Sequence, residues 1–208
     1  MKKVMAVLAA LVVGTQVQAQ EAAQVSWQGA YLGAEISHDR AAFDRVFHTG
    51  EVTSEWDVSG TSLGMIGGYN WQRGAFVYGV EVGLFTRDMR GNDNGIALAL
   101  DATDMNQAAE LGLRMGYAKA RNLYYVTVGR QWSKGAWQVN TTQVAHTFKA
   151  SYLGLGVEHA FDQHLRLRGE LRSTDYDTFS FVPPGAPIAW EYAADPRPEI
   201  RLGLTYQF

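Results

Sequence analysis

The last nine residues, Ile200-Arg201-Leu202-Gly203-Leu204-Thr205-Tyr206-Gln207-Phe208, decide the fold. Every even position is apolar and every odd one is polar or Gly. A period of two belongs to a strand with two chemically different faces, not to a helix. The stretch also matches the roughly 9–11 residues that a tilted strand needs to cross a bilayer. One face suits lipid and the other a polar lumen.

The same period recurs upstream. Ala30, Leu32, Ala34 and Ile36 alternate with Tyr31, Gly33, Glu35 and Ser37. One-faced rows follow at Leu63 to Trp71, Tyr78 to Leu84, Leu111 to Tyr117, Tyr124 to Trp132, Leu153 to Phe161 and Leu165 to Leu171. With the terminal stretch these make eight expected strands. Short connections lie near Gln72–Ala75, Lys119–Asn122 and Asp162–His164. Long ones are expected at His38–Ser59, Thr86–Asn106, Ser133–Lys149 and Ser173–Pro198. Short turns on one side and long external loops on the other are the asymmetry of bacterial membrane barrels. The fourth long connection carries Pro183, Pro184, Pro187, Pro196 and Pro198, which argue against a regular central strand there. The expected fold is all-β: an eight-stranded antiparallel up-and-down transmembrane β-barrel. A soluble sandwich or lipocalin-like barrel shares the period but keeps its apolar side chains inside. Here the face opposite the apolar one holds Gly, Glu and Arg.

At the N-terminus, Lys2 and Lys3 precede an apolar run, Val4 to Val13, and Val17-Gln18-Ala19 forms a small-x-small cleavage pattern. Residues 1–19 are therefore expected to be a secretory signal peptide cut after Ala19, and residues 20–208 the barrel. The apolar run is too short to span a bilayer as an anchor. Cleavage leaves 189 residues and removes two positive charges, taking the net charge from −3 to −5. An acidic balance without a basic run excludes a nucleic-acid role. The absence of cysteine excludes a disulfide framework. The slightly negative mean hydropathy is no objection to a membrane protein, because alternation averages hydropathy away. The 22 Gly and the 12% aromatic content suit curved strands with aromatic girdles.

The alternation places Glu35, Glu81, Glu110, Arg114, Glu158, Arg166, Arg168, Glu170, Arg172 and Arg201 on the lumen side. Such charges should pair, since a stranded buried charge is costly and Arg–carboxylate forks compensate best. The set reads as a polar core filling a narrow barrel. A movable plug admitting ions is the sharper alternative, but eight strands leave room for little beyond side chains. Trp27, Tyr69, Trp71, Tyr117, Tyr124, Trp132, Phe161, Tyr206 and Phe208 lie near strand ends and are expected to form interfacial girdles. His38, His48, His146, His159 and His164 show no metal-ligand spacing. His146 with Ser151 could be drawn as a catalytic pair, yet nothing in the spacing supports it. No catalytic residue, cofactor or metal site is expected.

Trp27-Gln28-Gly29-Ala30-Tyr31-Leu32-Gly33, Gly67-Gly68-Tyr69-Asn70-Trp71-Gln72, Tyr78-Gly79-Val80-Glu81-Val82-Gly83, Leu113 to Ala118, Gly154 to Phe161 and Arg168 to Tyr176 together resemble the small outer-membrane β-barrel family. That family includes opacity proteins, porin-like surface antigens and relatives of the OmpA membrane domain. The resemblance implies insertion by the outer-membrane assembly machinery, and Gly203, Tyr206 and Phe208 resemble the terminal signal that machinery reads. It implies a location in the outer membrane of a Gram-negative bacterium, among outer-membrane lipids and lipopolysaccharide. Because the chain ends on a barrel strand, no C-terminal peptidoglycan-binding domain is expected. The expected role is structural and surface-interacting, with any extracellular ligand held by the loops. The alternatives are a low-conductance porin-like channel and a lipid A-modifying enzyme.

Overall fold

The computed structural model describes residues 25–46, 52–92, 101–139, 142–182 and 190–208. The expected signal peptide, His48, Pro183, Pro184 and Pro187 lie outside them. The strands are β1 (Gly29–Val46), β2 (Val52–Arg73), β3 (Phe76–Asn92), β4 (Asp101–Lys119), β5 (Asn122–Val139), β6 (Thr142–Ala160), β7 (Leu165–Tyr176), β8 (Phe179–Phe181) and β9 (Trp190–Gln207). Each of β1 to β6 pairs antiparallel with the next, β7 pairs with β9, and β9 returns to β1 from Tyr31↔Gln207 upward. Eight strands therefore close a barrel, and no backbone edge is left open at membrane depth. The three-residue β8 is an extra, paired only to the upper end of β9.

The lipid-facing rows are as read from the alternation. Leu63, Leu84, Leu113, Met115, Leu153, Ile200 and Leu202 are each more than half exposed, which only a hydrocarbon surround makes favourable. The tight turns lie at one end. Gly74 takes a left-handed backbone (φ 61°) without penalty, whereas Ala120 does so at φ 53° against a steric cost of about 1–2 kcal/mol. At the third turn, Asp162 accepts the backbone N–H groups of His164 and Leu165, both at 2.7 Å. Those two hydrogen bonds hold its carboxyl below the ordinary range.

The long connections are shorter than expected. Most of His38–Ser59, Thr86–Asn106, Ser133–Lys149 and Ser173–Pro198 continues the strands, and β2 alone runs for 22 residues. The reason is an inversion of polarity. Within the membrane the apolar side chains point out and the charged ones in. Above it, Ala41, Phe43, Trp56, Val58, Met89, Met105, Phe148 and Tyr192 point in and are buried, while Arg40, Glu55, Asp57, Asp88, Arg90, Asp104 and Lys149 point out. The upper half is built as a water-soluble barrel stacked on a membrane barrel. Pro196 and Pro198 also lie within β9, not in a loop. The ladder from β7 stops at Thr174↔Arg197, so on that side no partner awaits the missing N–H of Pro196. On the other side, the register with β1 slips between His38 and Ala41, opposite the two prolines.

Candidate functional site

The lumen is filled in three tiers. At the periplasmic end the segment before β1 folds inward. Val25 and Trp27 pack with Val77, Leu123, Tyr125 and Ala160. The Trp27 backbone N–H donates to Gln72 Oε1 at 2.7 Å. The Arg166 guanidinium lies 4.4 Å over the Trp27 ring, and it donates to the Ser26 carbonyl at 2.6 Å and to the Gln207 side chain. Trp27 is fully buried, so the expectation of a girdle residue is wrong. It precedes the first ladder pair, Gly29↔Asn70, and strand alternation does not govern it.

The middle tier is ionic. All ten charges read from the alternation face the lumen: nine are buried, and the Glu81 side chain is 12% exposed. Arg114 donates to Glu158 at 2.9 Å. Arg168 donates to Glu81 at 2.6 Å and Glu170 at 3.0 Å, and lies 3.4 Å from Glu35. Arg172 bridges Glu170 and Glu110, both at 2.7 Å. Arg201 reaches Glu110 at 3.0 Å, Glu35 at 3.1 Å and Glu199 at 3.3 Å. Arg166 alone of the five arginines turns away, to Gln207 and the base. Apart from Arg166, each Arg reaches a carboxylate on at least one other strand, and the ion pairs join β1, β3, β4, β6, β7 and β9.

Rings fill the gaps between the ions. Arg114 lies 4.3 Å over Tyr125 and Arg172 lies 3.9 Å over Tyr152. Gly156 is small because a Cβ there would collide with the Tyr125 ring. Three further members were not read from the sequence. Asp39 accepts from Ser62 and lies 3.7 Å from Arg87, Arg87 also donates to Gln131 at 2.9 Å, and Glu199 pairs with Arg201. Asp39 and Arg87 fall in stretches assigned to loops. Continuing the alternation two residues past Ser37 would have found Asp39. The tier holds five guanidiniums and seven carboxylates, with Arg166 a sixth guanidinium at the base.

The upper tier is an aromatic lid inside the soluble half. Phe43 contacts Trp56, Phe148 and Tyr176 with ring centres 5.7–6.1 Å apart. Phe179 of β8 stacks on Tyr192 at 5.1 Å and on His146 at 4.5 Å. Burial, reinforced by the nearby Lys149 charge, holds the His146 pKa below its ordinary 6.5.

The profile of the outer membrane protein beta-barrel domain matches residues 5–208. The 22 kDa outer membrane protein of Rhizobium leguminosarum bv. viciae is 29% identical over 88% of this chain and 79% of its own. The 31 kDa outer-membrane immunogenic protein of Brucella melitensis is 29% identical over 97% of this chain and 93% of its own. Among solved structures, the outer membrane protein OprG from Pseudomonas aeruginosa shares the fold at a TM-score of 0.61, with 16% identity over 87% of this chain and 96% of that one.

Proposed function

The chain belongs to the outer membrane protein beta-barrel family of Gram-negative bacteria, and from that premise we propose that it is a plugged, non-catalytic barrel that acts through its external segments. The observation that carries this reading is the filled lumen. An ionic tier and an aromatic lid lie in series, and a narrow eight-stranded wall leaves no route around them. What remains accessible is the outer surface and the connections at the top. A curated relative named as an immunogenic protein fits a chain exposed at the cell surface.

The catalytic alternative lacks support. His146 points inward, against Phe148 and Phe179, whereas Ser151 points outward and accepts a hydrogen bond from Arg130 at 2.6 Å. The two lie on opposite faces of β6. Purified protein in planar bilayers should give no stepwise conductance, and lipid A from cells with and without the protein should have the same mass. Stable unitary conductance would reinstate the channel, and a changed lipid A mass the enzyme.

Assembly rests on the last strand. Gly203, Tyr206 and Phe208 serve as the signal for the assembly machinery, and residues 1–19 as the export signal, leaving Gln20 as the mature N-terminus. Tyr206 and Phe208 also pack against each other, with centres 5.3 Å apart. Deleting Phe208 should lower outer-membrane yield far more than refolding into detergent, since only the cell must recognise the signal. An equal loss in both assays would make Phe208 a girdle residue and nothing more.

A further inference from the structure

We infer that the outer wall carries a seat for one diphosphorylated lipid A molecule of the external leaflet, a site separate from the loop activity proposed above. The wall is not uniformly convex. Across β2 to β5 the outward row Met65–Leu84–Ala109–Trp132 is set by the ladder pairs Met65↔Leu84, Leu84↔Ala109 and Ala109↔Trp132. Ala109 is the one short side chain between large neighbours, and a groove of about 710 Å³ opens there. Leu63, Met65 and Leu84 form one flank and Trp132 the other. The volume falls within the roughly 300–1,000 Å³ of small-molecule sites.

Its height identifies the leaflet. Trp132 lies eight residues above Tyr124, the first outward ring after the periplasmic turn on β5. At about 3.3 Å per residue and a tilt of about 40°, that distance spans most of the roughly 25 Å apolar band. The groove therefore opens to the external half of the bilayer, and its upper rim meets the headgroups.

The rim supplies the charge complementarity. Lys134 lines the groove, and Lys149 stands opposite Trp132 on the neighbouring strand, also facing out. Three other outward cations are already paired: Arg90 with Asp88, Arg130 with Asp177 and Arg197 with Glu55. Among the described residues, neither Lys134 nor Lys149 has a carboxylate within ion-pair distance. An apolar slot topped by two uncommitted ammonium groups suits an acyl chain carrying a phosphate at its head.

Native mass spectrometry of the detergent-refolded full chain tests this, with diphosphoryl lipid A as probe. Wild type should retain one molecule. Ala109→Trp, which fills the groove from the lipid side, should lose it, while Leu171→Trp on β7, across the barrel, should not. Lys134→Gln with Lys149→Gln should weaken retention at least about tenfold, as expected for loss of a charge-assisted contact. Wild type should hold dephosphorylated lipid A and phosphatidylglycerol correspondingly less. Undiminished retention by the groove-filled or lysine variants, or equal retention of the other two lipids, would overturn the inference. Should Ala109→Trp refold poorly, Ala109→Leu and the lipid comparison on wild type decide the matter.

Discussion

Arg114 shows how a single residue holds the wall. It reaches Glu158 at 2.9 Å and Glu81 at 3.8 Å from inside the barrel. Arg114→Leu should destabilise the barrel by about 3–5 kcal/mol, because a buried carboxylate loses its partner. The measurement is the urea midpoint in micelles, and adding Glu158→Gln should recover part of the loss. An unchanged midpoint would mean that the pair contributes nothing. Ala120 offers a change of opposite sign. Ala120→Gly should raise stability by up to about 1 kcal/mol, the relief of a left-handed backbone less the entropy that Gly adds to the unfolded chain. The ionic site was largely legible at this scale, because inward charges such as Glu81 and Arg166 sit between unmistakably lipid-facing Val and Leu. Asp39 and Arg87 were not, because their outward neighbours, His38, Arg40 and Asp88, are polar and the contrast between faces disappears.

Within each strand, that contrast explains what could be read and where reading stopped. The membrane half of β1, Ala30 to Ile36, announces itself by apolar residues at alternate positions. Its upper half, Asp39 to Arg45, keeps the period but reverses which face is apolar, and a search for lipid-facing rows ends there. β8 had no signal at all, since three residues cannot establish a period. The stacking of β8 on β6 gives an element-scale prediction. The His146 pKa is depressed, so the contact is fully stabilising above the ordinary histidine range and weakens as pH falls through it. Protection of the Phe179–Phe181 amides, taken relative to the intrinsic exchange rate at each pH, should fall between about pH 8 and pH 5. His146→Phe should abolish that dependence. An unaltered pH response in the variant would assign it to other groups.

At the level of the whole molecule, the lid and the ionic tier are two seals in series. Phe43→Ala with Trp56→Ala should therefore leave planar bilayers silent, because the charges beneath still close the lumen. Adding Arg201→Ala and Arg172→Ala to that pair should produce the first leak currents, since Glu110 then loses two of its three guanidinium partners. Conductance from the lid variant alone would show that the ionic tier does not seal. The length of the strands carries a last consequence. The 22 residues of β2, at about 3.3 Å each and a tilt of about 40°, rise roughly 55 Å, against an apolar band of about 25 Å. The wall thus stands about 30 Å proud of the hydrocarbon. At its summit β3 and β4 still pair at Asn92↔Ala102, and β5 and β6 at Val139↔Thr142. A peptide spliced between such ends would close only a short gap and add little entropy cost, so the barrel is a ready pedestal for carrying foreign epitopes clear of the surface sugars to an antibody's reach.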